Sequence, residues 1–110
     1  MSIPTELTPQ QAAEKVAAGA QLIDVRRRDE WDAARLAGAT HFPLEILTSK
    51  VGDIDKDRPI VFYCHSGSRS AMATEAFAAS GYDAYNLAGG IIAWRDSDLP
   101  IEPPGAEIVH

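Results

Sequence analysis

A single cysteine, Cys64, stands among the 110 residues, so no internal disulfide can form and the fold has to hold without a covalent cross-link. Histidine is nearly as scarce: His41, His65 and His110 are too scattered for the close ligand spacing of a zinc site, and no metal site is expected. No apolar run approaches the roughly 18 residues of a membrane-spanning helix. Basic residues are in deficit, ten against sixteen acidic, and the charge of −6 opposes binding to nucleic-acid backbones or anionic membranes. Met1 to Glu6 carries neither a basic nor a long apolar stretch, which argues against a secretory leader and makes the cytoplasm the expected compartment. The length suits one core rather than two: residues 1–102 are expected to form one domain, and Pro103, Pro104 and Gly105 to open a flexible tail over 103–110.

What is present alternates. Thr8-Pro9 followed by Gln11 reads as an N-cap, a proline at the first helical position and a capping-box partner, and Gly19 ends the helix they open. Gln21 to Val25 and Ile60 to Tyr63 are short, nearly continuous apolar runs of the kind that fill buried parallel strands. Further strands are predicted over Ala39 to Phe42 and Tyr82 to Leu87. Helices are predicted from Pro43 to Gly52, from Arg69 to Ser80 with Gly81 beyond it, and from Ile91 to Asp96 after the Gly89-Gly90 turn. Strand and helix in alternation predict an α/β domain with a mainly parallel sheet covered on both faces. Such sheets bind ligands beyond the carboxyl ends of their strands, and Cys64 follows directly on one of them.

The segment Cys64-His-Ser-Gly-Ser-Arg-Ser70 joins that buried strand to the start of a helix, where backbone N–H groups lack intrahelical partners. Small residues let several of these groups aim at one centre, and the helix dipole adds positive potential there. A thiolate is itself an anion, so the setting favours it over the thiol and lowers the cysteine pKa. Gly67 supplies the backbone angle that a tight turn needs. Arg69 adds a positive charge, either to the cradle directly or by holding the loop in shape. The competing view makes Cys64 a small core hydrophobe, as free cysteines often are. Its place between a buried strand and a Ser/Gly turn, with an arginine five positions on, favours the reactive reading.

Four segments in order resemble the rhodanese-like sulfurtransferases in their single-domain form. Leu22-Ile-Asp-Val-Arg26 with Glu30-Trp31 resembles the first signature, and Gly38-Ala39 with His41-Phe42-Pro43 its continuation. Cys64 to Ser70 is similar to the active-site loop, and Leu87-Ala-Gly-Gly-Ile-Ile-Ala-Trp94 to the closing motif. Ala34-Arg35-Leu36 departs from the family, which usually has Gly-His before its apolar residue. The resemblance implies a small domain with about five strands flanked by helices, and a two-step transfer. Cys64 takes a sulfur from a small anionic donor such as thiosulfate and passes it, as a persulfide, to cyanide or a thiol. His65, Ser66, Gly67, Ser68, Arg69 and Ser70 are then the substrate-binding loop, and no cofactor is implied.

On this reading His65 either contacts the donor or is simply solvated, while His41 and His110 have no assigned part. Arg26 is expected to pair with Glu30, Arg27 and Arg28 to be solvated rather than to line the site, and Asp24 to be structural. Trp31 and Trp94 are expected to pack. Two rival functions stand beside transfer. A persulfide carrier, receiving sulfur from a protein donor and passing it on, would turn over small donors poorly. Cysteine phosphatases place five residues between cysteine and arginine, whereas four separate Cys64 from Arg69, and the smaller ring suits sulfur better than phosphate.

Overall fold

The computed structural model describes residues 5–110; Met1–Pro4, part of the segment read for a leader, lie outside the described residues. Thr8 caps the first helix, α1 (Pro9–Ala17), as its sequence requires: its Oγ1 accepts from Gln11 N–H at 3.2 Å and its own N–H donates to Gln11 Oε1 at 2.9 Å. The chain then runs through β2 (Gln21–Asp24), α2 (Arg28–Ala33), β3 (Arg35–Leu36), β4 (Thr40–His41) and a 3-10 helix (Leu44–Asp53). β5 (Ile60–Tyr63), α3 (Ser68–Ala79), β6 (Ala84–Leu87), α4 (Gly90–Asp96) and β7 (Ile101–Glu102) complete it, with β1 (Glu6–Leu7) preceding α1. The segment opened by Pro43 is thus 3-10 and not α, consistent with β-branched Ile46, Thr48 and Val51 and with Gly52, which weaken a regular α-helix.

Five strands form one sheet in the order β1-β6-β5-β2-β4, every neighbouring pair parallel, so the expected mainly parallel sheet is wholly so. β5 lies at its centre. Side chains alternate across the sheet with period two, and the two layers of core follow from that. Leu22, Val61 and Tyr63 point to one face and meet Ala12 of α1 with Ile91 and Trp94 of α4. Ile23, Ile60 and Phe62 point to the other and meet Leu47 of the 3-10 helix with Ala73 and Phe77 of α3. Each such large apolar side chain contributes roughly 1.5–3 kcal/mol by leaving water. Burial on both faces explains why β5 is apolar at all four positions.

A second, two-stranded antiparallel sheet pairs Arg35 with Glu102 and Leu36 with Ile101. It lay outside the sequence reading, because two-residue strands carry no periodicity. The Ala34-Arg35-Leu36 departure therefore falls on a strand that secures the C-terminal segment. Residues 103–110 hold no helix or strand, yet Ala106 N–H bonds Pro103 O at 3.0 Å and Ile108 packs against the α1 and α4 side of the core. Trp94 packs in that core as expected and donates its indole N–H to Pro100 O at 2.9 Å. Trp31 is only half-buried, stacked on the His41 ring at 4.9 Å and covered by Arg35. No helix of the described residues is long and apolar enough to cross a membrane.

Candidate active site

Cys64 continues the alternation of Ile60 and Phe62, so its side chain points to the α3 face, and the residue is 1% exposed. Beyond it the chain turns at Gly67, whose φ of 106° is left-handed, and enters α3 at Ser68. A Cβ on Gly67 would be strained at that angle and would meet Gly89 N at 3.2 Å, so the turn requires glycine. The turn folds the start of α3 back over Sγ. Gly67 N–H donates to Sγ at 3.0 Å and the Ser70 hydroxyl does so at 3.3 Å. Burial pushes the Cys64 thiol up, but the bonds from the Ser70 hydroxyl and from the N–H groups of Ser70, Gly67 and Arg69 outweigh it and hold the pKa below the ordinary value.

The donors face inward because the loop carbonyls are held outward. Ile91 N–H bonds Cys64 O at 2.9 Å and Ile92 N–H bonds His65 O at 3.3 Å, both from the first turn of α4. In a trans peptide the carbonyl and the following N–H point oppositely, so the N–H groups of His65 and Ser66 are directed away from α4. A Cβ at Gly90 would overlap the carbonyls of Cys64 and His65, which is why the closing motif needs glycine there. The side chains of Ser66 and Ser68 are exposed, so what these residues offer the cradle is backbone.

Arg69 leaves the loop sideways. Its Nη1 and Nη2 meet Glu30 Oε1 and Oε2 at 2.8 and 2.9 Å, a bidentate pair whose carboxylate is fully buried. Of the two parts open to Arg69 on sequence alone, the geometry favours holding the loop. Burial pushes the Glu30 carboxyl up, but Arg69 and the Arg27 N–H outweigh it and bring the pKa down to about 2. Arg26 does not pair with Glu30, contrary to expectation. Residues 24 and 26 fall on the same side of the extended chain, and Arg26 Nη2 meets Asp24 Oδ2 at 2.7 Å with both side chains fully buried. Arg26 also donates to Ala34 O and lies over the Tyr63 ring at 5.6 Å, and the Tyr63 hydroxyl accepts from Leu36 N–H. This network ties β2 and β5 to the chain after α2, which fits a structural Asp24.

Arg27 and Arg28 are exposed and paired with Asp29 and Asp32 at 3.2 and 3.0 Å. His41 Nε2 donates to Arg26 O, 2.7 Å away, outside the loop. His110, which had no assigned part, stacks its ring on His65 with centroids 4.2 Å apart. Burial and the neighbouring His110 lower the His65 pKa, with Arg26 and Arg69 acting in the same direction against Glu30. Sequence reasoning missed this contact, since 45 positions of chain separate the two rings and the segment that carries His110 has no regular structure. Among the described residues no group of three or more His, Cys, Asp or Glu side chains could hold a metal ion.

A parallel sheet with a thiol cradled between its central strand and a helix N-terminus defines a class, and the comparisons with known proteins agree with it. Residues 8–97 match the Rhodanese-like domain family, and the chain belongs to the rhodanese-like sulfurtransferases. It is 38% identical over 84 residues to a sulfurtransferase of Allochromatium vinosum, covering 76% of this chain and 78% of that one. A thiosulfate sulfurtransferase of Glaesserella parasuis is 32% identical over 100 residues, 89% of this chain and 93% of the relative. Among solved structures, a rhodanese-related protein of Thermoplasma volcanium superposes with a TM-score of 0.81 at 25% identity, over 87% of this chain and 95% of that one.

Proposed function

We propose that this chain moves a sulfane sulfur from a small anionic donor such as thiosulfate to a thiophilic acceptor, cyanide or a thiol, through a persulfide on Cys64. The observation that carries this reading is the convergence of N–H and O–H donors on Sγ, which favours the thiolate over the thiol. In the first step the thiolate attacks the outer sulfur of the donor, a new S–S bond forms, and the old one breaks with its electron pair leaving on sulfite. In the second step the acceptor, as cyanide or in its thiolate form, attacks the outer sulfur of the persulfide, a bond to that sulfur forms, and the S–S bond breaks with its electron pair returning to Cys64. The loop N–H groups from His65 to Ser70 would hold the persulfide anion, as an oxyanion hole holds a developing charge. No proton has to be taken up or released by a side chain in either step, so Asp24 and Glu30 are free for structural use.

The Arg69 to Glu30 pair also weighs against phosphate chemistry, because it commits the guanidinium that a phosphoryl group would need. Intact mass spectrometry tests the proposal. Thiosulfate should add one sulfur to the wild type, cyanide should remove it, and Cys64→Ala should gain none. A wild-type mass unchanged after thiosulfate but raised after incubation with a protein persulfide donor would instead favour the carrier.

A further inference from the structure

Asn86 lies in β6, outside every motif described above, and is buried to 2% exposure. Its Nδ2 donates to Gly67 O at 3.1 Å and to Glu6 Oε1 and Oε2 at 3.0 and 3.1 Å. All three neighbours are acceptors, so the NH2 group has to face them. An oxygen in that position would meet a carbonyl and a carboxylate. Among the described residues nothing donates to the buried Oδ1. An orphaned buried acceptor is unfavourable and uncommon.

Gly67 O is the carbonyl at the hinge of the cradle. It accepts the first bond of α3, from Ala71 N–H at 3.0 Å, so it points along the helix axis away from Sγ. The Ser68 N–H of the same peptide therefore points the other way, out of the helix N-terminus, with those of Arg69 and Ser70. Gly67 is also the residue whose own N–H reaches Sγ at 3.0 Å. A glycine at positive φ has no side chain to fix its two peptide planes, so an outside group has to do it. Asn86 does this for the second plane, as Ile91 and Ile92 do for the planes of Cys64 and His65. Ser70 Oγ lies 3.3 Å from both Gly67 O and Sγ and has one proton to share between them. When the hydroxyl serves Sγ, Asn86 is the donor that joins the Ala71 N–H on this carbonyl, and it further polarises the 67–68 amide.

We infer that Asn86 is a positioning residue of the Cys64 cradle, acting through Gly67 O to fix the Gly67 turn whose own N–H holds the thiolate and, on the function proposed above, to aim the Ser68 N–H for the persulfide. The test reads the thiol itself, so it does not depend on that function. The pH dependence of iodoacetamide alkylation should show the Cys64 pKa raised by about one unit in Asn86→Asp and Asn86→Ser, since a turn released from Asn86 loses the Gly67 N–H bond to the thiolate and a charged-group hydrogen bond has roughly that worth. Ile60→Val, a core change in the neighbouring strand, should leave the thiol pKa unmoved while lowering the melting temperature. If wild-type sulfur transfer is found, kcat/KM at neutral pH should fall about tenfold in the Asn86 variants; if none is found, the proposed function fails and the alkylation result still stands. A folded Asn86→Asp with a wild-type thiol pKa would overturn the inference. Should both variants unfold, NMR of the wild type decides: the Asn86 side-chain amide should titrate with the apparent pKa of Cys64, and resonances fixed through the thiol titration would refute the coupling.

Discussion

Arg69 and Glu30 stand 39 residues apart in the chain and meet through two parallel hydrogen bonds of 2.8 and 2.9 Å. The pair joins the first turn of α3 to α2, and so fixes one flank of the Cys64 loop to the far side of β2. Arg69 is a quarter exposed while the carboxylate is fully buried, so removing the arginine leaves the more costly remnant.

Arg69→Ala should therefore destabilise the protein by about 3 kcal/mol, and Arg69→Lys, which cannot make the paired contact, should recover only part of that. Denaturant unfolding at pH 7 measures both. Equal stability of the lysine variant and the wild type would remove the bidentate geometry from the account.

The same pair sets an acid limit. Glu30 has a folded pKa of about 2 against an ordinary 4.5, so its contribution is complete above the ordinary value and is lost as the pH falls from there towards 2. Melting temperature should decline across that window, and Glu30→Gln should show a lower starting stability with a shallower decline.

Ser70 gives Sγ its hydroxyl hydrogen bond at 3.3 Å, and that bond is the strongest of the influences lowering the thiol pKa. Ser70→Ala should raise the pKa by about one unit, a hydrogen bond to a charged group being worth roughly 1.5–3 kcal/mol. Alkylation rates at pH 7 should drop several-fold, whereas rates well above the thiol pKa should match the wild type.

His65 titrates low because His110 covers it and adds charge of the same sign. His110→Ala should raise the His65 pKa towards its ordinary 6.5, visible in the imidazole resonances on titration. No upward movement would mean that the two rings do not stack in solution.

Gly90 lies against the carbonyls of Cys64 and His65 with no space for a Cβ. Gly90→Ala should push the loop off α4 and release the carbonyls from Ile91 and Ile92. The expected sign is a raised thiol pKa together with lost stability, and a variant with wild-type alkylation kinetics would show that the loop holds its shape without this contact.

The sequence by itself determined the parallel α/β sheet, because the apolar runs of β2 and β5, the capping box at Thr8 and the glycines after α1 and α3 are local signals read within a few residues. It also placed Cys64 between strand and helix, which led to the anion cradle and the resemblance to the rhodanese-like family. Only the tertiary structure decided which charges pair. Asp24, Arg26, Glu30 and Arg69 were all visible as candidates, but strand alternation sends Arg26 to Asp24, and the fold carries Glu30 across the sheet end to Arg69. Likewise Asn86 and His110 carry no local mark, since their bearing on the loop depends on a hydrogen bond spanning 19 residues and on the docking of a segment without regular structure. Secondary structure is set by neighbours in the chain, whereas the electrostatics around Cys64 are set by neighbours in space.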